Sequence, residues 1–321
     1  MRRRLVLPGL AALAVASRSA LGQEAGRTYR IAVVSYAARG AFTEATLGGL
    51  QAMGFVEGRN LVMERRGLGL REDQLVDAVR KVIGEGTDVL LAGGGPFIKA
   101  AKAATGTVPI VGITDDMVGE GHVSSLARPG GNVTGVSILA TELDGKRQEI
   151  LMEALPRARK IAVLADPSPQ ATTHFAALQK ARPPGAIELL LVRAGNAAAI
   201  EAALRQAKEQ GADAVNVLAS PTLFAYRQAL FDAATALRLP TMFQWPEGAS
   251  EGALLAYGPV YADAFRLWGV MTGRVLRGAK PRDLPIEQPT TFKLAVNIKL
   301  ARAFGITLPS ALLQRADEVI E

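Results

Sequence analysis

Two histidines, a run of three glycines and a pair of adjacent aspartates are the residues of this 321-residue chain that invite a chemical reading. His122 and His174 stand far apart, and neither belongs to a spacing such as HExxH or HxH that would set two imidazoles on one metal. A solvated or locally hydrogen-bonded histidine accounts for each better than a general base does. No GxSxG elbow, no Walker sequence and no GxGxxG after the first strand is present. Gly93-Gly94-Gly95-Pro96 could open a helix whose first amides hold an anion, and a tight turn would use the same glycines. The side chains of Asp115 and Asp116 point different ways as sequence neighbours, so one of them either caps the following turn or touches a ligand. With no cysteine there is neither a thiolate nor a disulfide. No catalytic residue, metal ligand or cofactor is expected.

The elements that must carry these residues alternate β-branched apolar runs with Ala-rich amphipathic stretches, the pattern of βαβ units and a parallel sheet. The first half predicts strands over 31–35, 61–65, 88–92, 109–114 and 133–137, with helices over 42–53, 74–84 and 96–104. The order then repeats. RIAVVS at Arg30 is answered by KIAVLA at Lys160, DVLLAG at Asp88 by DAVNVLA at Asp213, and Val108-Pro109 leading to Asp115 by Leu239-Pro240 leading to Glu247. Partners, including the strand pairs at 61 and 187 and at 133 and 253, lie 120 to 131 positions apart. Order-preserving repetition predicts an α/β fold of two similar Rossmann-like lobes with parallel sheets, joined by a hinge.

Ligands of open α/β sheets bind beyond the carboxyl ends of the strands. That rule gathers Ser35, Gly94, Gly95, Thr114, Asp115 and Asp116 on one edge, and Asp166, Ser168, Ser220, Thr222, Gln244, Glu247 and Tyr257 on the other. Two polar edges across a hinge make a cleft. Trp245 either packs on a ligand or fills the core, Met117 lines a pocket or fills a gap, and Phe224, Tyr226 and Phe231 read as core.

Composition narrows the class. Arg2-Arg3-Arg4, the short apolar run Leu5 to Ala16 and Ala20-Leu21-Gly22 before Gln23 have the three parts of a cleaved secretory signal peptide, which predicts a periplasmic protein. Four of the arginines behind the net charge of +7 lie in or near that segment. The remaining basic residues are scattered and form no stripe with aromatics, so no nucleic-acid partner is expected. The expected divisions are the signal at 1–22, a first lobe at 23–140, a crossover at 141–156, a second lobe at 157–284, and a second crossing with a C-terminal segment at 285–321 that could return to the first lobe. Within that tail, Phe292 to Glu321 predicts strand, helix and a final helix over 310–320. Few exposed aromatics predict a monomer.

Particular strings then become recognisable. FVEGRN at Phe55, SLARPGGNVTG at Ser125, Tyr257-Gly258-Pro259 and RADEVI at Arg315 resemble the ABC transporter substrate-binding proteins related to the tryptophan/tyrosine uptake binding proteins, over essentially the whole mature chain. The resemblance implies a type I periplasmic-binding-protein fold that closes on a small polar solute, an amino acid or related compound, and presents it to an inner-membrane permease. The chain departs from the family at Gly95, where a threonine is usual, at Asp115-Asp116-Met117, at Asp166-Pro167 and at Ser220-Pro221, while Glu247 falls at a family glutamate. The expected contacts are Glu247, Asp116 or Asp166 on a ligand cation, and Gly94, Gly95 and Ser35 or Thr114 on an anionic or polar head. A ligand-responsive partner of a membrane sensor is the alternative function. An exported hydrolase using Asp115 or Asp116 is a more distant one.

Overall fold

The computed structural model describes residues 26–35, 41–66, 72–168, 170–181 and 187–321; the expected signal peptide lies outside them. The first lobe is built from β1 (Tyr29–Ser35), α1 (Ala41–Ala52), β2 (Leu61–Arg66), α2 (Leu75–Gly84), β3 (Val89–Gly93), α3 (Gly95–Ala104), β4 (Ile110–Thr114) and β5 (Val133–Ser137). Its strands pair in parallel in the order β2-β1-β3-β4-β5. β4 and β5 are buried at every position, as a parallel sheet covered on both faces requires. α2 shows the covering pattern, with Leu75, Val79 and Val82 turned inward at helical spacing.

The second lobe follows with α4 (Ala140–Ala154), β6 (Lys160–Ala165), α5 (Gln170–Ala181), β7 (Glu188–Arg193), α6 (Ala197–Glu209), β8 (Ala214–Val217), α7 (Pro221–Ala225), α8 (Arg227–Ala236), β9 (Thr241–Phe243), α9 (Gly248–Glu251) and β10 (Leu255–Pro259). The chain closes with α10 (Tyr261–Leu276), β11 (Phe292–Asn297), α11 (Ile298–Phe304), α12 (Ser310–Arg315) and β12 (Glu318–Ile320). The second sheet runs β7-β6-β8-β9-β10-β11-β12. Its first five strands repeat the order of the first sheet. β11 pairs antiparallel with β10, and β12 lies parallel beside β11.

Three differences from the sequence reading matter for the site. The stretch 141–156 is not the crossover: α4 packs on α5, β8, β9 and β10 and so is the first helix of the second lobe. The crossing is the short passage at 138–139, where Leu139 takes a left-handed conformation with φ 60°. Second, α10 does not stay with the lobe that precedes it. It packs on α1, β3, β4 and β5, and Trp268 buried on it donates its indole N–H to the Val111 carbonyl at 2.9 Å. Third, the chain then runs along β5, where the Glu287 N–H reaches the Gly135 carbonyl and the Ser137 N–H reaches the Glu287 carbonyl, before returning to form β11. Three passages therefore join the lobes, and the C-terminal segment from β11 belongs to the second lobe. The final helix stops at Arg315, because Glu318–Ile320 pairs with β11 as an edge strand.

Candidate functional site

The carboxyl ends of both sheets meet at a chamber lined by Ser35, Gly94, Thr114 and Asp115 of the first lobe and by Pro221, Phe224, Gln244 and Trp245 of the second. Tyr261, Phe265 and Trp268 of α10 and Phe42 of α1 complete the wall. The lobes are closed on each other here. Gly94 sits at φ 105°, a conformation that favours glycine, and a Cβ built on it would come within 2.8 Å of Pro221.

Six aromatic side chains make the chamber predominantly apolar. Tyr261 stacks on Phe224 with centroids 5.3 Å apart and lies 4.4 Å from Phe265, while Trp245 meets Tyr261 edge-on at 5.3 Å. Such offset and edge-on contacts fix each ring against its neighbours. Burial pushes the Tyr261 hydroxyl well above the ordinary phenol range, so it stays protonated. Trp245, which the sequence leaves open between ligand contact and core, lines the chamber while buried in the core cluster, and Phe224, read from sequence as core, packs against that cluster and also faces the chamber. Tyr261, Phe265 and Trp268 went unseen because α10 was counted with the second lobe. Phe231 is core, and Tyr226 is exposed.

Next to the chamber, and sharing Thr114 and Asp115 with it, lies a wider polar cleft lined by Gly95, Lys99, Lys102, Glu120, His122, Asp166, Ser168, His174 and Thr222 among others. Both histidines hold carboxylates. His122 Nε2 lies 3.0 Å from Glu120 Oε2, and His174 Nδ1 lies 2.9 Å from Asp144 Oδ2. Asp144 also accepts from the buried Arg147 at 2.6 Å, whose Nε–H reaches the Tyr257 carbonyl at 2.9 Å. Burial opposes a charge on His174, but the hydrogen bond and charge of Asp144, helped by Asp115 and Glu120, carry its pKa upward. Asp115 is pushed up to about 8, first by burial and then by Glu120. Among the described residues no hydrogen bond reaches its carboxyl group.

Several expected contacts are already taken by the fold. Asp116 accepts from the amides of Val118 and Gly119 and so caps its own turn. Glu247 accepts from the Tyr261 amide at 2.9 Å, where the unpaired amides that start α10 draw a carboxylate, and it lines neither chamber nor cleft. Tyr257 packs in the second lobe's core and offers only its carbonyl, to Arg147. Ser220 caps α7 and donates to Asp166, whose other oxygen holds Ser168, so this pair braces two loops beside the cleft. The Gly94 N–H is bound to the Ile113 carbonyl. Gly95 is where a side chain would collide with Glu120, whose carboxylate also accepts from the Thr114 hydroxyl and the Asp116 amide. The anion-holding role expected of Gly94 and Gly95 is thus displaced by the protein's own carboxylate. Ser35, Gly94, Thr114, Asp115 and Gln244 are the expected residues that the chamber brings together.

Residues 30–320 match the profile of the family described as ABC transporter substrate binding protein. The chain belongs to that family. Its members bind substrates and are not enzymes. A crystal structure of a conserved domain protein from Vibrio cholerae is 28% identical, with a TM-score of 0.83, over 91% of this chain and all of that one. An ABC domain from Streptococcus pneumoniae solved in complex with L-Trp is 20% identical with a TM-score of 0.80, again over 91% of this chain and 100% of that one. The ligand-free, open structure of a substrate binding protein with adhesive properties from Clostridium difficile aligns at 20% identity and a TM-score of 0.62, over 92% and 99% of the two chains. No protein of curated function matches the sequence. This substrate-binding chain shares its two-lobed fold with those structures, and no helix among its described residues is long and apolar enough to cross a membrane.

Proposed function

We propose that this protein is the exported solute receptor of an ABC importer, which closes its two lobes on one small molecule in the aromatic chamber and presents the closed form to a membrane permease. The observation that carries the reading is that the chamber exists only where the lobes meet, since Gly94, Thr114 and Asp115 on one side face Pro221, Gln244 and Trp245 on the other. A solute bridging them favours the closed form by its differential affinity for the two states. The three passages between lobes suit a hinge that bends at a few backbone positions. The sequence reading of a small polar solute needs revision toward an apolar body, because aromatic rings supply most of the wall. The signal at 1–22 fits delivery to the periplasm.

Native mass spectrometry of the mature chain from Gln23, purified from a periplasmic extract without denaturation, tests the reading. The expected result is a bound small molecule that is lost in Trp245→Leu while the protein still melts cooperatively. A mature chain that carries nothing and shows no change in radius of gyration with any solute in a broad panel would overturn it.

A further inference from the structure

The chamber's polar equipment is one-sided, and resting on the receptor reading, this allows its solute to be narrowed. Asp115 stands at the seam of chamber and cleft with no hydrogen bond to its carboxyl group among the described residues. Gln244, 4% exposed and also in the chamber wall, has an Oε1 that finds no donor in the protein. Neither lysine nor arginine lines the chamber. Arg227, which lies 4.5 Å over the Phe224 ring, is held by both oxygens of Glu251. Of the two lysines in the neighbouring cleft, Lys102 donates to the carbonyls of Gly121 and His122, and Lys99 is exposed to solvent. The amide of Gly94 is taken, and the start of α3 faces Glu120. The buried Gln244 Oε1 and the half-buried Asp115 carboxyl group therefore have no hydrogen-bond partner among the described residues, while a carboxylate bound in the chamber would meet no lysine or arginine in its wall and would sit beside Asp115 and Glu120. Leaving a buried acceptor unpaired costs about 1–3 kcal/mol, and burying an uncompensated anion costs more.

We propose that the solute is an aromatic organic cation without a carboxylate, its ring among Phe42, Phe224, Trp245, Tyr261 and Phe265 and its ammonium on Asp115 and Gln244 Oε1. The aromatic faces add to the preference, because ring quadrupoles attract cations and not anions. Burial and the Glu120 carboxylate raise the pKa of Asp115, and an ammonium bound beside it would favour its ionised form. The site thus departs from one built for an amino acid, which must satisfy both charges of the zwitterion.

Isothermal titration of the mature chain with two matched series decides the matter: tryptamine, L-tryptophan and indole-3-acetate, then phenethylamine, L-phenylalanine and phenylacetate. In at least one series the ammonium compound is expected to bind about tenfold or more tightly than its amino acid, about 1.4 kcal/mol, with no heat from the acid. Asp115→Asn is expected to lower the ammonium affinity about tenfold while melting cooperatively, and a truncation elsewhere in the wall would not reduce the gap between head groups. An amino acid or acid that binds as well as the amine overturns the inference, as does silence from all six compounds or an unchanged amine affinity in Asp115→Asn. A carboxylate-bearing solute found by native mass spectrometry would remove this inference and leave the receptor reading standing.

Discussion

Asp115 shows how a carboxyl group set in the chamber wall carries a cost to the fold that contains it. Its pKa rises from an ordinary value near 3.8 to about 8, so the folded protein keeps a proton that the unfolded chain releases. Its contribution is therefore fully present below the unfolded value and declines as pH rises toward the folded one. His174, also raised, acts in the same direction: the stability it lends at low pH is lost as pH climbs through its folded pKa. The melting temperature of the empty protein is thus expected to fall between about pH 5 and pH 8, and Asp115→Asn to flatten the slope; scanning fluorimetry across that range checks both. Arg147 presents the opposite balance. It is 1% exposed, bonded to Asp144 and to the Tyr257 carbonyl, so Arg147→Ala strands a buried carboxylate and should cost about 3–5 kcal/mol in urea unfolding. Neither residue's importance could be read from the chain. Asp115 was singled out with Asp116, but only the fold shows that one lines the chamber and the other caps a turn. Asp144, Arg147 and His174 lie on two helices whose polar positions look like solvent faces until the helices meet.

At the level of elements, the strands were legible because a parallel sheet covered on both faces demands unbroken apolar runs, and RIAVVS, DVLLAG and KIAVLA supply them. The destination of α10 was not, since an apolar helical face such as Ala264, Trp268, Met271 and Val275 satisfies either lobe's sheet equally well. The signal that points to α1 is Gly269 on α10 with Gly49 on α1, while Gly273 one turn on makes room for the Met53 side chain. A Cβ on Gly269 would collide with the Thr46 carbonyl, and one on Gly49 with that of Arg266, so the two backbones touch without side chains between them. Gly269→Ala is expected to force the helices apart and destabilise the protein by about 1–3 kcal/mol, seen as a lower urea midpoint with an unchanged m-value. Solute affinity should fall with it, because Phe42 of α1 and Phe265 and Trp268 of α10 are neighbours in the chamber wall, with Phe42 and Phe265 centroids 5.3 Å apart. The tail's last turn was misread for a related reason: Arg315-Ala316-Asp317 continues a helical composition, and only the free edge of β11 turns Glu318–Ile320 into a strand.

The molecule as a whole is two sheets of like order whose covers are not divided by the chain as the sequence halves are. The internal repetition correctly foretold two lobes, but repeats report strands and their order; they are silent on which lobe a later helix covers. The first lobe borrows α10 and the segment beside β5 from beyond β10, the fifth strand of the second lobe. A fragment of residues 26–157 should therefore show no cooperative melting by circular dichroism, since the face of β3, β4 and β5 that α10 covers would meet water. For a chain made from its N-terminus, this arrangement delays the completion of the first lobe. The sheet that is synthesised first stays half-covered while more than a hundred further residues are added between β5 and α10, and strands β6 to β10 of the second lobe are made before the first is sealed. The first lobe is thus sealed only once α10 and the segment at Glu287 have been made, and the second lobe gains its last two strands after that, so both lobes wait on the final quarter of the chain to become native.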